Sequence, residues 1–165
     1  MSKSFLEPAE WYATLPAFYA SACVLLTDTE DRVLMVKPNY RPYWSIPGGI
    51  IEADELPHEC AVREIDEELG LRVAVTGLLV VDWIPPMDDR PQSMINFLFD
   101  GGTVTDPGQI VLQTSELDDF GFYSWDEAAR LLPAATTARV PAARRARKDA
   151  RTVYLPFSQP AGSQR

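Results

Sequence analysis

Histidine is all but missing from this chain: His58 is the only one in 165 residues. A His-rich zinc site is therefore excluded, and a serine–histidine triad has no support. Cysteine is almost as scarce. Cys23 and Cys60 are isolated and form no CxxC pair, so both read as small buried residues and not as ligands or a disulfide. No apolar run reaches the roughly 20 residues of a membrane helix. The opening MSKSFLEPAEWYATLP lacks the basic-then-apolar layout of a secretory signal. A soluble cytoplasmic protein with no membrane partner is expected. A P-loop, GxGxxG, GxSxG, HExxH and an EF-hand loop are also missing, which leaves the common chemistries tied to them unsupported.

Positive charge is scarce where most of the chain lies. Residues 1–138 carry 8 Lys/Arg against 23 Asp/Glu, whereas residues 139–165 carry 7 Lys/Arg against Asp149 alone, within a net charge of −9. An acidic body repels phosphates, so general nucleic-acid binding is not expected. Phosphorylated small molecules remain accessible to such a body if divalent cations lie between.

What is present is a strand-rich chain with a few helices. FYASACVLLTD and DRVLMVKP read as two strands of a hairpin across a short acidic turn. LRVAVTGLLVVDWI is a β-rich run that bends at Gly77, and SMINFLFD is a strand. QIVLQT is a candidate strand, and a further strand is centred on Phe120–Ser124. DEAARLLP is a short helix, AARRARKDARTVYL reads as a final helix, and PFSQPAGSQR as a flexible tail. This mixture predicts an α/β (α+β) class with a central mixed sheet.

The segment GGIIEADELPHECAVREIDEELGL, residues 48–71, holds 8 acids among 24 residues. Pro57 suits a first helical turn and Gly70 a left-handed C-terminal cap, which predicts a helix from Pro57 to Leu69. Ala61, Ile65 and Leu69, with Val62 beside them, make one apolar stripe. Glu64, Glu67 and Glu68, spaced i, i+3 and i+4, share a second face. Three adjacent anions repel one another. Arg63 compensates in part, lying four residues from both Glu59 and Glu67. A hard divalent cation with oxygen ligands compensates better. Taken alone, the helix reads equally well as a solvated acidic face. The Gly48–Gly49 pair ahead of it, where backbone can approach closely, and Glu55 beside it favour a site.

This segment resembles the Nudix box. Gly49, Glu55, Arg63, Glu64, Ile65, Glu67, Glu68, Gly70 and Leu71 occupy all nine specified positions across 23 residues. Trp44 ahead of the Pro47–Gly48–Gly49 turn, and ELDDFGFYSWDEA downstream, extend the likeness over residues 18–133. Two positions depart from the pattern: Asp54 stands where Gly is frequent and Leu56 where Ser or Thr is frequent, so Asp54 or Glu55 is expected to cap the helix instead. The resemblance implies an α/β/α sandwich of the Nudix hydrolase family. It also implies Mg²⁺-dependent cleavage of a diphosphate bond, with Mn²⁺ as a substitute.

On that resemblance Glu64, Glu67 and Glu68 are metal ligands, joined by Glu55 and the Gly49 carbonyl, and Arg63 orients the glutamates. Glu67 and Glu68 belong to the catalytic group, and Glu116 is a candidate base. Lys37 and Arg41 are candidates for meeting phosphates, and Tyr43, Trp83 and Phe97 for stacking on a base. The expected partner is a small nucleotide, with a homodimer allowed. Pro86, fifteen residues past Leu71, resembles a proline of ADP-ribose-cleaving members. The substrate reading therefore leans to ADP-ribose or nucleotide sugars, with nucleoside triphosphates the alternative. A nucleotide-binding regulator without turnover is the rival from another class. Residues 1–138 are read as the hydrolase domain. Residues 139–165 are read as a basic docking helix and tail that the chemistry does not need.

Overall fold

The computed structural model describes residues 6–87 and 90–156. In chain order the elements are α1 (Pro8–Ala13), β1 (Tyr19–Thr27), β2 (Val33–Pro38), β3 (Gly48–Ile50), α2 (Pro57–Leu69), β4 (Gly77–Ile84), β5 (Met94–Thr103), β6 (Leu117–Tyr123), α3 (Trp125–Leu131), α4 (Arg139–Asp149) and β7 (Val153–Leu155). The sheet runs β6-β2-β1-β5-β4-β7, with β3 paired to β1. It is mixed: β1–β5 and β4–β7 are parallel, and the other pairs are antiparallel.

Side chains that alternate along a strand face opposite sides of a sheet, and β1 and β2 use both sides. Ala22, Val24, Leu26, Leu34 and Val36 pack with Ala61, Ile65 and Leu69 of α2. Cys23, Leu25, Val33 and Met35 pack on the other face with Trp125 and Ala128 of α3 and with Val140, Ala143 and Ala146 of α4. Helices thus cover both faces, as the α/β/α expectation has it. Continuous apolar runs in β1 and β2 are the sequence mark of strands buried on both faces.

The two hairpin strands diverge almost at once. β1 pairs with β2 only at Thr27–Val33. Residues 45–50 wedge between them: Ser45 bridges to Val36, the Pro47 carbonyl accepts from the Val24 amide, and Gly48 and Gly49 lie opposite Cys23 and Ala22. Only glycine fits at position 48. Its φ is +139°, and a Cβ there would stand 2.2 Å from the Ala22 carbonyl oxygen. The wedge delivers the glycine pair to the sheet beside α2.

Three expectations are corrected. QIVLQT is not a strand: the Val111 and Gln113 amides donate to the carbonyls of Leu69 and Glu68, so this segment satisfies the open carbonyl end of α2. The β-rich run 71–84 is strand only from Gly77. The basic stretch is no appendage. α4 starts at Arg139, buries Val140, Ala142, Ala143 and Ala146, and stops where Ala150 turns left-handed at φ 50°. Val153–Leu155 then joins β4 as an edge strand and does not continue the helix. Boundary 138 cuts through packed core because alanines, spaced to face the sheet, are hidden in sequence among arginines. Residues 157–165, on which the expectation of a flexible tail falls, lie outside the described residues.

Candidate active site

α2 spans Pro57–Leu69, and Gly70 caps it at φ 64°. The N-terminal expectation fails in detail. Leu56 occupies the cap position, and neither Asp54 nor Glu55 caps; the Glu59 carboxylate accepts from the Leu56 amide at 3.0 Å. Asp54 instead takes a left-handed φ of 63°, the conformation that makes glycine favourable at this position.

Arg63 organises the acids. Its guanidinium donates to Glu55 (2.8 and 3.0 Å), to Glu64 (2.9 Å) and to Glu67 (3.1 Å). It also reaches the Ile50 carbonyl at 3.3 Å. Of its two expected helical partners it keeps Glu67; Glu59 is taken by the cap, and Glu55 replaces it. Held first by Arg63 and then by the Glu52 amide, the Glu55 carboxyl is driven down to about 2. The Arg63 cation is correspondingly raised above its ordinary value.

Gly49 lies directly under Glu64. A Cβ at position 49 would stand 2.2 Å from Glu64 Oε1, so the absent side chain is what lets the carboxylate rest on the turn. Glu68 is only 8% exposed, and its Oε2 accepts from the Gly48 amide at 2.9 Å. Burial, opposed by that hydrogen bond and reinforced by the charges of Glu64, Glu116 and Glu67, raises its carboxyl to about 8. Glu64 is raised as well, mainly by burial, with Arg63 opposing.

Glu116 precedes β6 and is exposed, yet its charge is felt at both Glu64 and Glu68. The loop before β6 is stitched to the loop after β2: the Asn39 amide donates to the Glu116 carbonyl, and Asn39 Nδ2 donates to Ser115. That second loop carries Tyr40, whose ring lies 5.2 Å below the Arg41 guanidinium. Burial first, and then Glu68, Glu116 and Glu64, raise the Tyr40 phenol, against Arg41. Tyr40, which the sequence reading passed over in favour of Tyr43, is therefore the tyrosine that shares the field of the acids. Its only sequence signal was adjacency to Arg41. Cys60 is buried and free, as expected; its thiol lies 3.5 Å from Arg63 Nη2 and is pushed up to about 12, chiefly by burial. Lys37 is not brought to the acids, because its ammonium donates to the carbonyls of Pro38 and Arg41 and braces the loop. Phe97 lies in register with Ala22 and so shares the α2 face; Trp83, two positions along, packs edge-on against Phe18 at 5.4 Å.

The acidic donors are all hard carboxylate oxygens, their charge exceeds that of Arg63, and one is buried nearly unpaired. That donor set fits a hard divalent cation. Among the described residues no three acids converge closely enough to hold an ion, since Arg63 draws Glu55, Glu64 and Glu67 to itself.

Metal-free stability should consequently depend on pH with a definite sign. Between the ordinary carboxyl value of 4.5 and about 8, Glu68 keeps its proton in the folded state but not in the unfolded chain. The folded state then binds more protons, so stability falls as pH rises through this window, by on the order of a few kcal/mol. Glu55 acts oppositely below 4.5, where stability is lost as pH falls toward 2. Thermal melts in chelator at pH 5 to 9 should show Tm declining with pH, and Mg²⁺ should remove most of the decline. A flat profile in chelator would contradict the buried, proton-retaining Glu68.

Residues 17–145 match the family model for the NUDIX domain, and the chain belongs to that family. A putative 8-oxo-dGTP diphosphatase of Bacillus subtilis is 31% identical over 85 residues, covering 52% of this chain and 57% of the relative. An ADP-ribose pyrophosphatase of Methanocaldococcus jannaschii is 35% identical over 68 residues, covering 39% and 40%. The chain spans about half the length of the curated relatives it matches. The crystal structure of a MutT protein from Methanosarcina mazei Go1 superposes with a TM-score of 0.68 at 21% identity, over 79% of this chain and 96% of that one. No helix among the described residues is long and apolar enough to cross a membrane.

Proposed function

We propose that this protein is a divalent-metal-dependent pyrophosphohydrolase that cleaves the diphosphate bond of a nucleoside diphosphate linked to another group. The observation that carries this reading is the assembly of Glu55, Glu64 and Glu67 around Arg63, with Glu68 held by the Gly48 amide beside them, on a complete box folded against the Gly48–Gly49 wedge. Glu64, Glu67 and Glu68 would hold Mg²⁺ or Mn²⁺, with Glu55 and the Gly49 carbonyl beside them. A bound ion of this kind neutralises diphosphate charge and lowers the pKa of a water.

The protein's own groups supply the rest. Arg63 orders Glu55, Glu64 and Glu67 and keeps Glu55 ionised. Burial makes Glu68 a poor anion, a cost that a bound cation would offset. Glu116 faces the same acids from a tethered loop and is the candidate proton acceptor for the attacking water. Arg41, stacked on Tyr40, is the candidate cation for substrate phosphate.

For the leaving group the reading favours ADP-ribose or a nucleotide sugar. Support comes from Pro86 after β4, in a loop pinned where Arg90 donates to the carbonyls of Pro85 and Gln92, and from the ADP-ribose pyrophosphatase among the relatives. A nucleoside triphosphate is the alternative, favoured by the relative named for 8-oxo-dGTP. A Mg²⁺-dependent screen should find kcat/KM for ADP-ribose or nucleotide sugars above that for triphosphates. Turnover of triphosphates alone would install the alternative. Tight binding of all these compounds with no turnover of any would instead make the protein a nucleotide sensor.

A further inference from the structure

Two features of the molecule take no part in the acidic site. The first is the arm ahead of β1. Leu6, Trp11, Tyr12, Leu15 and Phe18 are between 42 and 66% exposed, and α1 has no buried residue. A helix of six residues is not stable alone in water, and an exposed aromatic cluster of this kind marks an interaction surface. The arm is also acidic, carrying Glu7 and Glu10 beside Trp11 and Tyr12.

The second is a groove of about 390 Å³ between α3 and α4, on the far side of the sheet from α2. Ala129 and Pro141 form part of its floor, and Arg130, Arg144 and Arg145 line it, with Asp126 the one acid among them. Arg139 and Arg147 of the same helix are spent on Asp82 and Asp100. Among the described residues Arg130, Arg144 and Arg145 make no salt bridge. In a chain of net charge −9 this is a concentration of cations without a salt bridge among the described residues, with Arg144 lying over the Trp125 ring at 5.5 Å.

We propose that the arm of one copy docks in the α3–α4 groove of a second copy, giving a two-fold homodimer. The complementarity is specific. An aromatic helix bearing two glutamates meets an apolar floor bordered by three arginines, and each surface supplies what the other lacks. Two copies make the contact twice, which closes the assembly and leaves neither feature unpartnered. Between two strongly acidic chains, this is where attraction replaces repulsion. Catalytic groups on α2 lie across the sheet, so dimerisation leaves them open to substrate.

Charge exchange tests this directly. Light scattering on the full chain at about 100 µM should give twice the 18.4 kDa chain mass. One variant, Glu7→Arg with Glu10→Arg, makes the arm basic. A second, Arg144→Glu with Arg145→Glu, makes the groove acidic. Each should dissociate to monomer, with dimerisation weakened on the order of 100-fold. Their equimolar mixture restores both arm–groove contacts and should recover the dimer. Trp11→Ala, which leaves charge untouched, should also weaken the dimer and is independent of any folding defect in α4. A wild-type monomer at this concentration, with or without pyrophosphate taken up by the groove, overturns the proposal. So do dimeric charge variants, or a mixture that stays monomeric while both components are folded.

Discussion

Glu68→Gln and Glu67→Gln should each lower kcat on the order of 10²-fold or more, the scale of losing one charge-stabilising group at a reacting centre, while the fold survives. The two substitutions act from different surroundings. Glu67 is half exposed and held only by Arg63, so its amide leaves packing untouched. Glu68 is buried against the Gly48 amide, and glutamine keeps an acceptor for that hydrogen bond. Removing the charge also relieves the burial that raises this carboxyl. Metal-free Glu68→Gln should therefore melt at or above the wild-type temperature near neutral pH, and the gain in Tm on adding Mg²⁺ should shrink. Steady-state kinetics and melts together separate the roles. Near-normal turnover in a folded variant would remove that glutamate from the metal set, whereas unfolding of Glu68→Gln would show that its charge is structural.

Deleting residues 139–165 should abolish folding, not merely trim a docking element. The deletion strips Val140, Ala142, Ala143 and Ala146 from the core that they share with Leu25, Val80, Leu98 and Trp125. It also orphans Asp82, which is 5% exposed and paired with Arg139 at 2.6 Å. Breaking a buried pair from one side costs about 3–5 kcal/mol. With the lost apolar burial added, the total rivals a typical domain stability of about 5–15 kcal/mol. Circular dichroism should show no cooperative thermal transition. A cooperative melt near the wild-type temperature would mean that the sheet does not need this helix. A milder check is Arg139→Met, which should lower Tm by leaving Asp82 unpaired while keeping the apolar face of α4.

The sequence by itself determined the parts whose physics is local. The bounds of α2 were legible because Pro57, Gly70 and the four-residue apolar stripe each act within a turn or two. The shared face of Glu64, Glu67 and Glu68 follows from helical period alone. The strands β1, β2 and β5 were legible from their apolar and aromatic runs. What the tertiary structure decided is everything that depends on which distant groups meet. Arg63 exchanged Glu59 for Glu55 because the cap claimed one and the turn after β3 delivered the other. Glu68 became the buried, proton-retaining acid because the fold buries it beside the wedge at 45–50, and that burial outweighs the Gly48 amide, which favours its anion. Glu116 and Tyr40 share the field of the acids because two loops remote in sequence are tied through Asn39. The segment 110–114 looked like a strand by composition, but its amides were claimed by the open carbonyls of α2. α4 looked like a basic docking helix because its arginines dominate the composition. Its place in the core is set by small alanines, whose burial only the packed sheet creates.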